Sequence, residues 1–239
     1  MRYEPDLIRA HPADGSLMEN AYRRLKRDII ELVRPPGANF TEAEVAKTLG
    51  LSKTPVREAL ARLHRDGLVR PLPRAGYVVS AVTLGDATDL CDLRSLLQSQ
   101  AAALCAARGL SEEDGRRLAE LAVDTDEDQL GGPRFEERFR ANYEFESLIA
   151  NGSGNHRLAA ASVGVLDEIE RISRLSIRLD PSMPPERIRE RQAIVDAIAA
   201  RDQDAARAAM QRRTASARRE IVGALAASRS ITDAEIVVP

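Results

Sequence analysis

The sequence predicts a mainly α-helical protein in two parts: a small N-terminal helical module closed by a β-hairpin, and a C-terminal all-α helical bundle. Two observations support this division. Residues 40–79 contain two short helical patterns separated by Gly50, and a hairpin pattern that follows Gly67. Beyond Ser80, apolar residues recur at helical spacing in six stretches, 84–108, 112–129, 134–150, 155–179, 185–200 and 202–226. We expect the stretch 155–179 to bend or divide near Gly164.

The length of 239 residues suffices for two domains with their own cores. We therefore divide the chain into a flexible leader (1–16), the N-terminal module (17–80), the helical domain (81–227) and a tail (228–239).

The N-terminal module contains a helix predicted over 20–33, a second from Glu42 to Leu49 and a third that ends at Gly67. In the third helix, Thr54 is the expected N-cap and Pro55 the expected first helical residue. Strands at 68–69 and 77–79 flank a loop over 70–76. This order is typical of a winged helix-turn-helix, in which the hairpin loop is the wing. An ordinary helix pair with a hairpin would account for any one of these features taken alone.

Charge indicates what the module binds. Lys53 and Arg57 lie in the first turn of the third helix, where the helix dipole disfavours cations. They are explained if that end of the helix meets phosphates and base edges. Residues 20–80 contain 12 Lys and Arg against 6 Asp and Glu, whereas the whole chain has 35 against 37. A basic module joined to an acidic one predicts a polyanionic partner for the module alone.

Several functional classes are disfavoured. No apolar run reaches the ~18 residues of a membrane span, and the N-terminus has no apolar signal core, so we expect a cytoplasmic protein with no membrane partner. Cys91 and Cys105, 14 residues apart on one helical pattern, lie too far apart for a disulfide and are expected in the core. No catalytic constellation is evident, so we expect no enzyme and no catalytic residues. The alternative is an enzymatic or scaffolding helical domain beside a protein-interaction module.

Two sets of motifs carry a family resemblance. The first contains Pro36-Gly37, Glu44-Val45-Ala46, the run from Gly50 to Leu60, Leu63, Asp66-Gly67-Leu68 and Gly76-Tyr77-Val78. Through it, the segment from Tyr22 to Ser80 resembles the DNA-binding domain of the GntR family of bacterial transcription regulators. The second contains Leu93-Arg94, the run from Asn142 to Glu146, Ser153-Gly154-Asn155, the run from Arg191 to Ile198, Arg201-Asp202, Ala205-Ala206 and Met210. Through it, the helical domain resembles FCD, the effector domain of the FadR-like branch.

The resemblance implies a homodimer that places two recognition helices in successive major grooves of a pseudo-palindromic operator, under the control of a small-molecule effector. It also implies that Lys53, Thr54 and Arg57 contact double-stranded DNA, with Ser52 nearby and Gly76 letting the wing approach the minor groove. We expect Arg57 to read guanine, because a guanidinium can bind O6 and N7 together. Arg70 and Arg74 are expected to contact phosphates.

The effector domain departs from the family pattern. Most FCD members hold a divalent metal with an Asp, a His four residues later and two further His on the last two helices. Those positions correspond here to Asn142, Glu146, Arg191 and Arg213. An arginine has no lone pair to donate, so we expect neither a metal nor any other cofactor. The three histidines, His11, His64 and His156, lie elsewhere in the sequence.

Three interpretations of these arginines stay open. Arg94, Arg191 and Arg213 can hold an anionic metabolite, such as an organic or sugar acid, with Asn142 orienting it. In that case we expect Glu146 to share Arg191 with the ligand. Alternatively, the same side chains form a closed salt-bridge network that only holds the helices together. The third interpretation, solvated surface charge, fits poorly with their spacing relative to the apolar stripe.

Overall fold

The computed structural model describes residues 16–123, 135–180 and 187–227, together with 231–232 and 235–236. The main described part folds as two compact units, an N-terminal unit that ends at Gly85 and a helical unit from Asp86 to Ala227. No helix among these residues is long and apolar enough to cross a lipid bilayer.

The N-terminal unit is a three-helix module with a small sheet. Its elements are α1 (Leu17–Ile30), β1 (Asn39–Phe40), α2 (Glu42–Leu49), α3 (Lys53–Arg65), β2 (Val69–Leu72) and β3 (Gly76–Val79). The three strands are antiparallel in the order β1-β3-β2, with Phe40 opposite Tyr77 and Val69 opposite Val79.

The helices of this unit begin and end at recognisable caps. Ser16 accepts a hydrogen bond from the Glu19 amide at 3.2 Å, so α1 starts three residues earlier than predicted. Thr41 and Glu44 form a capping box at the start of α2, with reciprocal bonds of 3.2 and 2.7 Å. Gly50 ends α2 in the left-handed conformation with φ 65°, as the sequence predicted.

The predicted start of α3 was wrong. The helix begins at Lys53, with Ser52 in the N-cap position, so Thr54 lies inside the first turn instead of capping it. The amide of Leu51 still bonds to the Ala46 carbonyl of α2, at 3.0 Å. Ser52 is extended, with φ −72° and ψ 162°, so it is the last non-helical residue before α3 and occupies the cap position. Pro55 is tolerated as the third helical residue because the first four amides of a helix have no intrahelical acceptor.

The packing of the core determines which face of α3 is exposed. Leu25 and Ile29 of α1 pack in one cluster with Val56, Leu60 and Leu63 of α3. Since α3 buries this stripe, its opposite face is turned to solvent. The hairpin strands β2 and β3 are longer than predicted, which leaves a turn of three residues, 73–75, at the tip of the wing.

Over its described residues, the helical unit contains seven helices: α4 (Leu84–Arg108), α5 (Glu112–Ala122), α6 (Phe135–Gly152), α7 (His156–Gly164), α8 (Leu166–Leu179), α9 (Arg187–Ala199) and α10 (Gln203–Ala227). The predicted division near Gly164 is confirmed, because Val165 separates α7 from α8. Within the predicted tail, strands β4 (Ile231–Thr232) and β5 (Glu235–Ile236) pair antiparallel. The predicted fold class, a winged helix-turn-helix followed by an all-α domain, is confirmed.

Apolar side chains from five helices fill the core of this unit, with Phe145, Ile149, Leu118, Ile194 and Met210 almost inaccessible to solvent. Cys105 belongs to the same cluster, and burial raises the pKa of its thiol to about 12. Cys91 is also buried, and neither cysteine is in a disulfide. Both are therefore small core residues, as the sequence predicted.

Candidate functional sites

The exposed face of α3 carries the residues predicted to contact DNA. Lys53, Thr54 and Arg57 are exposed along its first turns, and Ser52 is exposed immediately before them. These residues are displayed because the buried stripe of α3 lies on its other side. The structure thus brings together on one surface all four residues that the motif indicated for this helix.

Arg57 is held by a residue that the sequence prediction missed. Its Nε donates to both carboxylate oxygens of Glu42 at 3.2 Å, and its NH2 donates to Oε2 at 3.0 Å. The hydrogen bonds and the charge of Glu42 raise the pKa of the Arg57 guanidinium above its ordinary value. Glu42 lies 15 residues away on α2, and helical spacing within one helix gives no signal for such a contact. A contact between helices could be inferred only from the packing of α2 against α3.

The wing presents the two remaining cations. Arg70 is exposed on β2, and Arg74 is exposed in the turn with φ 62°. Gly76 has φ 94°, and a Cβ there would lie 2.4 Å from the Phe40 carbonyl oxygen. The structural reason for glycine at this position is therefore the close approach of β1, which the sequence analysis did not identify. This contact alone explains the glycine at position 76, without any approach of the wing to a minor groove.

In the helical unit, the five predicted effector residues converge from four helices. Arg94 lies on α4, Asn142 and Glu146 on α6, Arg191 on α9 and Arg213 on α10. Arg94, Glu146 and Arg213 are only 4 %, 3 % and 5 % exposed. Arg191 is partly buried. These exposures exclude the interpretation of Arg94 and Arg213 as surface charge.

Glu146 is the centre of the network. Its carboxylate accepts hydrogen bonds from Arg94 NH2 at 2.5 Å, Asn142 Nδ2 at 3.2 Å and Arg213 NH2 at 3.3 Å. Gln98 also donates, at 2.6 Å, and accepts from Arg94 Nε at 3.1 Å. Sequence reasoning missed Gln98, although its position one helical turn after Arg94 was a usable signal.

The expected pairing of Glu146 with Arg191 was wrong. Arg191 donates instead to the Leu121 carbonyl at 3.0 Å and to Asn142 Oδ1 at 3.3 Å. The Leu121 carbonyl lies in the last turn of α5, where carbonyls lack an intrahelical donor, so it is a ready acceptor. Arg213 also donates to Asn142 Oδ1. Arg94, which we expected to be available to a ligand, forms the shorter ion pair with Glu146, at 2.5 Å against 3.3 Å for Arg213.

The electrostatics of this centre follow from its burial. Burial alone would raise the pKa of Glu146, but Arg94, Arg213 and the bond from Gln98 lower it to about 2. The guanidinium carbons of Arg191 and Arg213 lie 5.7 and 5.8 Å from the centroid of the Phe145 ring. Both cations therefore gain some stabilisation from the face of an aromatic ring. Glu146 is thus held in its ionised form at neutral pH.

These residues do not fit a divalent cation. Arg191 and Arg213 present only hydrogen-bond donors, and Asn142 Oδ1 already accepts from both of them. In the described part of the chain, no group of three or more His, Cys, Asp or Glu side chains could hold a metal ion. His64 and His156 are exposed elsewhere, and His11 lies outside the described residues. The absence of a metal stays a prediction.

Comparisons with known families decide the identity of the chain. Residues 89–216 match the FCD domain, which covers more than half of the chain. Residues 17–79 match the family described as bacterial regulatory proteins, gntR family. The chain belongs to the GntR family, in the FadR-like branch. Members of this family are transcriptional regulators and not enzymes, so this GntR protein is a transcriptional regulator with an FCD effector domain.

Similar proteins agree with this assignment. The regulator is 42 % identical over 82 residues to an uncharacterised HTH-type transcriptional regulator of Agrobacterium vitis, from the TAR-I ttuE-ttuC' intergenic region. That match covers 34 % of this chain and 48 % of the relative, so it spans about half of that protein. The regulator is also 27 % identical over 194 residues to the HTH-type transcriptional repressor RspR of Escherichia coli K12, covering 80 % and 83 % of the two chains. The solved structure of E. coli McbR/YncC shares the fold, with a TM-score of 0.69, 23 % identity and coverage of 84 % and 94 %.

Proposed function

We propose that this GntR regulator binds a pseudo-palindromic operator as a homodimer and that a small anionic metabolite, held without a metal, modulates this binding. The buried cluster of three arginines around Glu146 and Asn142 carries the effector part of the proposal. Because its partner is chromosomal DNA, the proposal places the protein in the cytoplasm.

The DNA-binding part rests on the surface of α3. Arg57 has an exposed guanidinium suited to guanine O6 and N7, while Lys53, Thr54 and Ser52 surround it on the same face. Arg70 and Arg74 on the wing are placed to contact phosphates, which position the protein without reading sequence. A two-fold dimer would repeat this surface on two half-sites.

Exposed leucines on α4 support the homodimer. Leu93 and Leu96 are 44 % and 71 % exposed, although leucine is usually buried. They lie three residues apart and therefore share one face of the helix. We propose that a second copy covers this face. Leu96→Glu should then shift the protein towards the monomer in analytical ultracentrifugation, whereas Ala107→Glu, a change at another exposed position of α4, should not.

The effector part follows from charge. Arg94, Arg191, Arg213, Glu146, Asn142 and Gln98 together carry a formal charge of +2. Buried cations are costly unless they are paired and hydrogen-bonded, so an anion entering this centre would offset that cost. Arg191 and Arg213 are the best candidates to contact it, because they converge on Asn142 while Arg94 is committed to Glu146.

A second candidate function has structural support. Glu146 already accepts hydrogen bonds from four side chains, and Arg191 already satisfies a helix-end carbonyl. A network of this kind can hold four helices together without any ligand. In this alternative, the FCD domain is a ligand-free dimerisation scaffold.

A thermal-shift screen distinguishes the two functions. An organic acid or sugar acid that binds the folded dimer should raise its melting temperature progressively with concentration. Arg191→Gln should remove that rise, because it removes one of the two arginines proposed to contact the anion. The variant should still fold, since Arg191 is only partly buried and its replacement leaves the Arg94–Glu146 pair in place. Arg117→Gln, at an exposed arginine, is the control and should retain the rise. Stabilisation by neutral or cationic compounds alone would refute the anion proposal and favour the scaffold.

Metal independence needs its own measurement. Elemental analysis of the dialysed dimer should find no zinc, nickel or manganese near one equivalent per chain. Stoichiometric metal that persists after removal of any affinity tag would contradict the proposal.

A further inference from the structure

We propose that Glu42 is a positioning residue for base recognition: it fixes the Arg57 guanidinium so that one edge of the group is presented to a guanine. This inference rests on the proposed operator binding. It assigns a specificity role to an acidic residue on the helix before the recognition helix.

The geometry divides the guanidinium between two partners. The Nε–NH2 edge of Arg57 is bonded to Glu42, through contacts of 3.2, 3.2 and 3.0 Å. A guanidinium is a planar fork with five N–H donors, so the NH1–NH2 edge at the end of the side chain is not used by this contact. Guanine O6 and N7 are two acceptors that match such an edge. Arg57 can therefore hold Glu42 and a guanine at the same time.

Glu42 is the fixed member of the pair. Its side chain is 24 % exposed, against 66 % for Arg57. It is the first residue of α2, where a carboxylate is favoured by the helix dipole. The capping box between Thr41 and Glu44 stabilises the same turn. A fixed carboxylate restricts the rotamers of the long arginine side chain, so less conformational freedom is lost when Arg57 meets a base.

The same carboxylate should weaken sequence-independent binding. A negative charge on the face of α3 and α2 that approaches DNA opposes attraction to phosphates. Glu42 should therefore lower affinity for any DNA while it raises discrimination at one base pair. This combination of opposite effects distinguishes a positioning role from a simple contribution to charge or to folding.

A matched control is available on α3. Glu58, beside Arg57 in sequence, is exposed and carries the same charge. Glu58→Gln should raise affinity for non-specific DNA, as Glu42→Gln should, because both remove one negative charge. Only Glu42→Gln should reduce discrimination at the base pair read by Arg57, by about three- to tenfold, which is part of what a bidentate contact supplies.

The experiment uses the whole chain of 239 residues. Binding-site selection with the wild type and with Arg57→Ala identifies the base pair whose preference depends on Arg57. Fluorescence anisotropy then measures affinities of the wild type, Glu42→Gln and Glu58→Gln for the selected operator and for duplexes altered at that base pair, at several salt concentrations. Melting temperatures verify that the variants are folded, since an exposed ion pair contributes little to stability.

The outcomes separate the inference from the proposed function. Loss of discrimination in Glu42→Gln alone, with higher non-specific affinity, supports the positioning role. If Arg57→Ala relaxes a base pair and Glu42→Gln retains full discrimination, the positioning role is wrong while operator binding stands. Equal loss in Glu58→Gln would likewise overturn it, since charge alone would explain the result. If the wild type selects no sequence, operator binding and the inference fall together.

Discussion

Each of the two units of this GntR regulator contains an ion pair between an arginine and a glutamate, exposed in the N-terminal unit and buried in the helical unit. In the N-terminal unit, the side chains of Arg57 and Glu42 are 66 % and 24 % exposed. In the helical unit, those of Arg94 and Glu146 are 5 % and 1 % exposed. Water screens the first pair and its net contribution to stability is small. The second pair is removed from water, so each partner depends on the other.

This difference suits the two sites to different tasks. An exposed guanidinium can keep its carboxylate and still offer an edge to DNA, so the surface of α3 needs no rearrangement to bind. A buried guanidinium can accept a ligand only if the ligand replaces or adds to its present partners. Under the proposed function, an effector that replaces these partners would change the contacts that join α4, α6, α9 and α10. Regulation by the effector could act through such a change in helix contacts.

The largest expected effect is in the buried pair. Glu146→Gln should destabilise the protein by about 3–5 kcal/mol, because it leaves Arg94 and Arg213 without their shared buried carboxylate. Urea unfolding at neutral pH, at fixed dimer concentration, measures this loss. The matched control is Glu144→Gln on the same helix, which breaks an exposed pair with Arg117 and should cost less than about 1 kcal/mol. Equal losses in the two variants would refute the contrast between buried and exposed pairs.

The same carboxylate, that of Glu146, should make the free energy of unfolding depend on pH. The pKa of Glu146 lies at about 2 in the folded state, against an ordinary value of 4.5. A lowered pKa means that its contribution to stability is present above pH 4.5 and disappears as the pH falls towards 2. The contribution corresponds to about 3 kcal/mol at neutral pH. Urea unfolding between pH 6 and pH 3 should give a steeper decline for the wild type than for Glu146→Gln; parallel declines would contradict the assignment.

Sequence patterns predicted the elements of this fold because local chemistry determines them. Gly50 and Gly67 adopt φ 65° and 74° where the helices were expected to end. Apolar spacing indicated six helical stretches with an expected bend or division near Gly164, and these correspond to the seven helices of the described ranges. The end of α5 was predicted less well, because the helix ends at Ala122 and the predicted stretch ran to residue 129. The errors were also local, since a side chain caps a helix only if its residue is the last non-helical one. Thr54 is a good N-cap residue, yet Ser52 is the extended residue before α3, and Thr54 lies inside the first turn.

The site residues were predictable as a set, but their pairing was not. The motif indicated that Arg94, Glu146, Arg191 and Arg213 would meet, and they do. Which arginine pairs with Glu146 depends on how four helices pack. It also depends on the Leu121 carbonyl, which accepts from Arg191, and a main-chain acceptor of this kind cannot be recognised from residue type. The partner of Arg57 was missed for the same reason, because Glu42 belongs to a different helix.

For the exposed pair we expect a smaller effect than for the buried pair, and one on DNA binding at a single base pair. Arg57→Ala should weaken operator binding by about 1–3 kcal/mol and relax the preference at one base pair, since it removes a bidentate base contact. Binding-site selection followed by anisotropy titration tests this. Arg157→Ala, an exposed arginine of the helical unit, should leave operator affinity and preference unchanged. An unchanged preference in Arg57→Ala would mean that another residue reads that base.

The smallest expected effect concerns the turn that carries Glu42. Thr41→Ala removes the hydroxyl that accepts from the Glu44 amide and should cost about 1 kcal/mol of stability. Because Glu42 lies between the two capping residues, a frayed first turn of α2 should also loosen its hold on Arg57. Thr41→Ser keeps the hydroxyl and should restore both stability in urea unfolding and discrimination at the base pair read by Arg57. If Thr41→Ala lowers stability but leaves discrimination intact, the position of Glu42 is set by packing against α3 and does not depend on the cap.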